Sequence, residues 1–228
     1  MKLLKGVILE IMIKKNKQSS YKYVKYFSIY IFVVWGLYRF LFHFPEEAEE
    51  LFIKPFLWLT PIIYILARNN EGLKHLGFTK KGLFPAIYFS LALGAGFALE
   101  GLVLNFFKHG GLDFSANIGS MNFYAAFFLS VATAFTEEIT FRGFIFNKLW
   151  QKSKNELSSN LIASLLWALI HLPITFLWWK IGFVESVFYF LLVFIFGVGS
   201  AFVFARSKNI ASPILLHIFW EWPIMLFR

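Results

Sequence analysis

The chain has 228 residues, of which 58% are hydrophobic and only 15% charged, with 31 phenylalanines and 8 tryptophans. A soluble domain is about half apolar and a quarter charged, so this composition, with a mean hydropathy of +0.64, points to a helical membrane protein. The lack of cysteine excludes disulfides, thiolate metal ligands and a cysteine nucleophile. The net charge of +9 is met by anionic lipid and calls for no nucleic acid partner.

Residues 1–25 form a basic segment in which Leu3, Leu4, Val7, Ile8 and Ile11 recur at helical spacing. That pattern suits an amphipathic helix on the membrane surface or a lysine-rich tail. Its apolar run is short, is broken by Glu10 and leads into Lys14, Lys15 and Lys17 without a small-residue cleavage site, so it is not read as a signal peptide. Residues 26–228 read as one transmembrane domain. Spans are expected at 27–43, 51–67, 83–107, 121–146, 158–179, 184–205 and 210–227, each near the ~20 residues a crossing needs. The third is long enough to tilt, or to break around Gly94, Gly96 and Gly101 and hide an eighth helix or re-entrant segment. The expected fold is therefore all-α, a polytopic transmembrane bundle of about seven to eight spans.

The connections alternate in charge. The amino terminus is lysine-rich and residues 43–50 are acidic; residues 68–82 carry Arg68, Lys74, Lys80 and Lys81. The loop near 108–120 is almost neutral, the next holds Lys148, Lys152 and Lys154, residues 180–183 carry only Lys180, and the last turn carries Arg206 and Lys208. The positive-inside rule then predicts a multi-pass protein of the cell membrane with a cytoplasmic amino terminus and an outer carboxyl terminus, Trp178 and Trp179 anchoring the outer interface. Arg39, His43 and His109 read as interfacial.

Polar residues at membrane depth concentrate in the second half: Glu137, Glu138 and Arg142, then His171, then His217 and Glu221. Charge at that depth costs several kcal/mol on most scales, so such residues pair, line a wet cavity or do chemistry. Glu138 and Arg142 are i, i+4 and can form an ion pair. Glu137 points about 100° away, is left without a local partner and is read as the free carboxylate. His217 and Glu221 are also i, i+4 and can hold a metal or a water between them. His171 lies two residues before Pro173, which bends the helix and opens space beside it. A buried carboxylate with nearby imidazoles can activate water against an amide. The set Glu137, His171, His217 and Glu221 suits a divalent metal such as zinc and metal-free water activation equally. There is no HExxH and no GxSxG; Gly199-Ser200-Ala201 reads as small residues for helix packing, and Asp113 is the sole aspartate, which excludes an aspartate dyad. Taken singly, the histidines also suit hydrogen-bonded packing, Glu221 a solvated helix end, and Glu100 packing or proton linkage. The same intramembrane Glu and His suit a transporter.

These residues resemble the CPBP family of intramembrane proteases, which includes the CAAX prenyl endopeptidases and the bacteriocin self-immunity proteins. Glu137, Glu138 and Arg142 match its EExxxR motif. Trp167 to His171 is similar to FxxxH, and His217 to Glu221 to HxxxN or HxxxD. The approach through Phe196, Gly197, Gly199, Arg206 and Pro213 is also similar, the likeness covering about residues 121–222, with a weaker one at Leu73–Leu83. The resemblance implies an endopeptidase acting on a membrane-associated or lipidated peptide or protein. In it Glu137 activates water, Glu138 and Arg142 brace the site, and His171, His217 and residue 221 hold the water or metal or stabilise the oxyanion. A non-catalytic immunity or scaffold protein on the same fold is the alternative. Trp167 departs from Phe, and Glu221 from Asn or Asp, losing amide donors while keeping a ligand oxygen. Substrate identity and oligomeric state have no signal in the sequence.

Overall fold

The computed structural model describes residues 2–42, 44–112 and 123–226, and all regular structure among them is helical. Helix α1 (Lys2–Leu41) runs unbroken through the expected boundary at residue 25. Helix α2 (Glu46–Arg68) contains a π segment at Glu49–Ile53. Helices α3 (Leu83–His109), α4 (Phe123–Glu138), α5 (Asn147–Ser153), α6 (Glu156–Pro173), α7 (Phe183–Ser207) and α8 (Ala211–Leu226) follow. A π segment, Ile139–Phe146, joins α4 to α5 without interrupting the rod. Another, Ile174–Trp178, follows Pro173 at the end of α6. Proline has no N–H for the ladder, and the wider turn re-pairs the backbone, as in the bond from the Trp179 N–H to the Ile174 carbonyl at 2.9 Å. His43 and Asp113 lie outside the described residues.

Five stretches are long and apolar enough to cross a membrane: Tyr21–Leu41, Glu46–Arg68, Leu83–Phe107, Glu156–Leu177 and Phe183–Ser207. They coincide with five of the expected spans. The expected spans at 121–146 and 210–227 are not among them, although both are largely helical. The first of those two carries Glu137, Glu138 and Arg142, and α8 has only 16 residues. The third expected span is a single continuous helix with no break at its glycines. Membrane depth suits such a helix because its backbone bonds are all internal.

Large side chains divide between two environments. Trp58, Phe141, Phe144, Phe146, Trp167, Phe196 and Phe204 are buried in one core. Phe52, Phe56, Phe84, Phe107, Phe128 and Phe188 point outward, where lipid is as apolar as the interior.

The connections sort to two ends of the bundle. At one end Lys152 lies over the Tyr21 ring, Lys148 pairs with Glu71, Arg206 pairs with Glu156 and Lys208 sits over Trp150. The Asn209 amide fastens the 69–82 connection to the start of α8 through the carbonyls of Thr79 (2.8 Å) and Lys81 (3.0 Å). Gly82 is required there: its φ is +71°, and a Cβ would stand 2.2 Å from the Ser207 carbonyl oxygen. The α1–α2 and α6–α7 connections lie at the opposite end, since each helix traverses the bundle once.

Candidate active site

The site is built around α4 and its π continuation. Glu137 and Glu138 are adjacent, so their side chains diverge into two networks.

Glu138 is fully buried and braced. Arg142 Nη1 donates to its Oε1 at 3.0 Å, Ser200 Oγ to its Oε2 at 2.7 Å, and His217 Nδ1 lies 2.7 Å from Oε1. A carboxylate only accepts, so His217 donates from Nδ1 and presents Nε2 toward Glu221 Oε2, 3.8 Å away. Arg142 also donates to the Gly197 carbonyl at 3.2 Å and stacks on Trp167 at 4.5 Å. Gly197 makes this possible: a Cβ would lie 3.0 Å from Ser164 Cβ and 3.3 Å from Arg142 Nη2. The Glu138–Arg142 ion pair expected from spacing is present, and Ser200 serves as its hydrogen-bond brace.

Glu137 is held from both sides. Lys54 Nζ is 2.5 Å from its Oε1, and the Trp167 indole N–H donates to its Oε2 at 2.6 Å. The expectation that this carboxylate is left without a partner is therefore corrected: α4 offers none, but α2 and α6 each supply one. His171 Nε2 stands 4.0 Å from Glu137 Oε2. Its Nδ1 is 2.7 Å from the Trp167 carbonyl, which can only accept, so Nδ1 carries the hydrogen and Nε2 of the neutral ring offers a lone pair toward Glu137.

Lys54 is itself held by Glu50, at 2.9 Å from Oε1 and 2.7 Å from Oε2. Thr133 donates to Glu50 Oε2 at 2.8 Å. Farther out, Arg39 pairs with Glu49 at 2.7 Å, and the Tyr38 hydroxyl donates to Glu49 Oε1 at 2.8 Å. A cavity of about 170 Å³ reaches these groups and is lined by Trp35, Arg39, Lys54, Glu137, His171 and Glu221, among others. At roughly 30 Å³ per molecule it has room for several waters. Its lining includes Phe44 from the α1–α2 connection, Glu46 at the start of α2 and Trp179 after α6, so it reaches the end opposite the basic connections.

Other expectations are revised here. Arg39 is buried and ion-paired, not interfacial. Glu49 and Glu50, expected in an acidic loop, are buried in the first turns of α2. Trp179 turns inward, its ring 5.1 Å from that of Tyr189. Glu100 is half-exposed on α3 and does not line the cavity. The sequence held two unused signals, Arg39 within an apolar run and Glu50–Lys54 at i, i+4 in the next.

Among the described residues no group of three or more His, Cys, Asp or Glu is placed to hold a metal ion. Glu137 spends one oxygen on an ammonium and the other on an indole N–H, which leaves the donor set poorly matched to a metal.

The family model described as Type II CAAX prenyl endopeptidase Rce1-like matches residues 119–223. The match, over somewhat less than half of the chain, supports a CPBP/CAAX protease assignment for this segment. No curated protein and no solved structure matches it. The CPBP segment contains Glu137, Glu138, Arg142, His171, His217 and Glu221, whereas Arg39, Glu49, Glu50 and Lys54 come from helices outside it. Trp167, at the position where the CPBP motif has Phe, adds a hydrogen bond to Glu137 that a phenyl ring cannot make.

Proposed function

We propose that the chain is an intramembrane endopeptidase that hydrolyses a peptide bond in a membrane-associated or lipidated substrate. The observation that carries the reading is the gap between Glu137 Oε2 and His171 Nε2. At 4.0 Å these atoms are too far apart to bond each other and well spaced for one water oxygen to reach both. Glu137 is the general base: it takes a proton as the water oxygen attacks the carbonyl carbon. It then returns that proton to the leaving nitrogen, so water is consumed and an acid and an amine are released. His171 orients the water through Nε2. Glu138, Arg142, Ser200 and His217 form a rigid floor that fixes α4 against α7 and α8. Glu221, beside His217 Nε2, lines the same cavity and meets the substrate. The donor set favours water activation without a metal.

Wild type and Glu137→Gln in proteoliposomes should be compared on a farnesylated CAAX peptide and on a lipid-linked peptide library, with and without chelator. Removing the base should lower the cleavage rate by about 10²–10⁴-fold while the protein still accumulates, and chelator should leave wild-type cleavage unchanged. Cleavage by neither protein would point to a scaffold on this fold, and equal cleavage by both would remove Glu137 as the base. Dependence on a pH gradient or membrane potential, without cleavage, would point to transport.

A further inference from the structure

We propose that Lys54 is the positioning cation of this site, an ammonium built into α2 that holds the Glu137 carboxylate in line with His171 where a metal would otherwise stand. The inference rests on the peptidase reading of Glu137 and adds a residue from outside the family segment, which begins at 119.

Four observations converge on it. The Lys54 ammonium is buried, 4% exposed, and touches Glu137 Oε1 at 2.5 Å. Its other contacts are to Glu50, and Thr133 anchors Glu50 to α4 one turn before Glu137, so the bridge is tied to α4 at both ends. With Oε1 engaged, only Oε2 faces Trp167 and His171, so two donors on opposite oxygens fix the carboxylate's rotation. Trp35 and Trp58 flank the ammonium at 5.9 and 5.3 Å from their ring centroids, closing it off laterally.

The energetics favour a task over a mere link. An ammonium at membrane depth costs several kcal/mol, and apolar side chains can join two helices as well or better than a buried ion pair. A compact point charge with three donors, on a stem long enough to reach across from α2, suits simultaneous contact with two carboxylates.

The test compares Lys54→Met, Lys54→Arg, Lys54→Ala and Glu137→Gln with wild type in proteoliposomes, using the farnesylated CAAX peptide as probe. Loss of positioning should fall on kcat, by about 100-fold for Lys54→Met, with KM little changed. Lys54→Arg should retain more activity than Lys54→Met, and added ethylammonium should restore part of the Lys54→Ala rate, which a purely structural role would not allow. Where Lys54→Met fails to accumulate, the Lys54→Met/Glu50→Gln double variant removes the ammonium together with its second carboxylate, and the same readings apply. Melting temperatures of Lys54→Met, Glu137→Gln and their double variant give a second, activity-independent reading. The double should lose less than the sum of the singles, because each single leaves a buried charge unpaired. Wild-type kcat in Lys54→Met beside a dead Glu137→Gln overturns the role of Lys54 and leaves the peptidase reading standing. Additive melting losses overturn the contact itself. A fully active Glu137→Gln sinks the reading of Glu137 as general base, and the task of Lys54 with it.

Discussion

Two adjacent glutamates have opposite surroundings because a helix turns about 100° between them. Glu138 is enclosed by Arg142, Ser200 and His217, and Glu137 faces a cavity with Lys54, Trp167 and His171. The role of Trp167 is testable by replacing it with the residue of the family motif. A hydrogen bond to a charged group contributes about 1.5–3 kcal/mol. Trp167→Phe should therefore lower kcat about 10- to 100-fold if that bond orients the base in the transition state. An unchanged kcat would reduce Trp167 to packing. The i, i+4 relation made the Glu138–Arg142 pair legible from spacing. Neither Lys54 nor Trp167 was legible as a partner of Glu137, because spacing along one helix carries no information about what a different helix presents.

At the scale of elements, the π segments are where the helices depart from regularity, and each adjoins the site. Ile139–Phe146 starts directly after Glu138, Glu49–Ile53 contains Glu50, and Ile174–Trp178 follows His171 by two residues. The wider turn re-aims the side chains around it. Periodicity identified the helices, and Pro173 foretold the disturbance on α6, but nothing in the residues near 139 or 49 foretold the others. The close approach of α7 to α4 and α6 depends on Gly197. Gly197→Ala should lower stability by about 1–3 kcal/mol through overpacking, read as a melting shift in detergent, and should reduce cleavage by displacing Arg142. A neutral Gly197→Ala would show that the contact with Ser164 and Trp167 yields freely. Removing the charge by Arg142→Met should cost more, about 3–5 kcal/mol, since it leaves Glu138 buried without its cation.

For the whole molecule, the basic connections gather at one end and the cavity reaches the other. The positive-inside rule predicts that the basic end is cytoplasmic and the mouth extracytoplasmic, which cysteine labelling tests. The chain has no cysteine, so single cysteines at exposed Glu47 and Lys154 can be labelled with a membrane-impermeant maleimide in intact cells. Labelling is expected at 47 and not at 154, and the reverse pattern would turn the molecule over.

Composition and helical periodicity determined by themselves that this is an all-helical membrane protein, because lipid demands apolar surface and internally satisfied backbone along the whole of each span. The order of acidic, basic and histidine motifs along α4, α6 and α8 likewise marked the region that matches the CAAX protease family. Only the tertiary structure decided that α2 delivers an ammonium to Glu137, that Arg39, Glu49 and Glu50 lie inside, and that the cavity reaches the end opposite the basic one. Those facts depend on how separate helices rotate about their axes and meet, which is fixed by packing across the bundle and not by the neighbours of a residue in the chain.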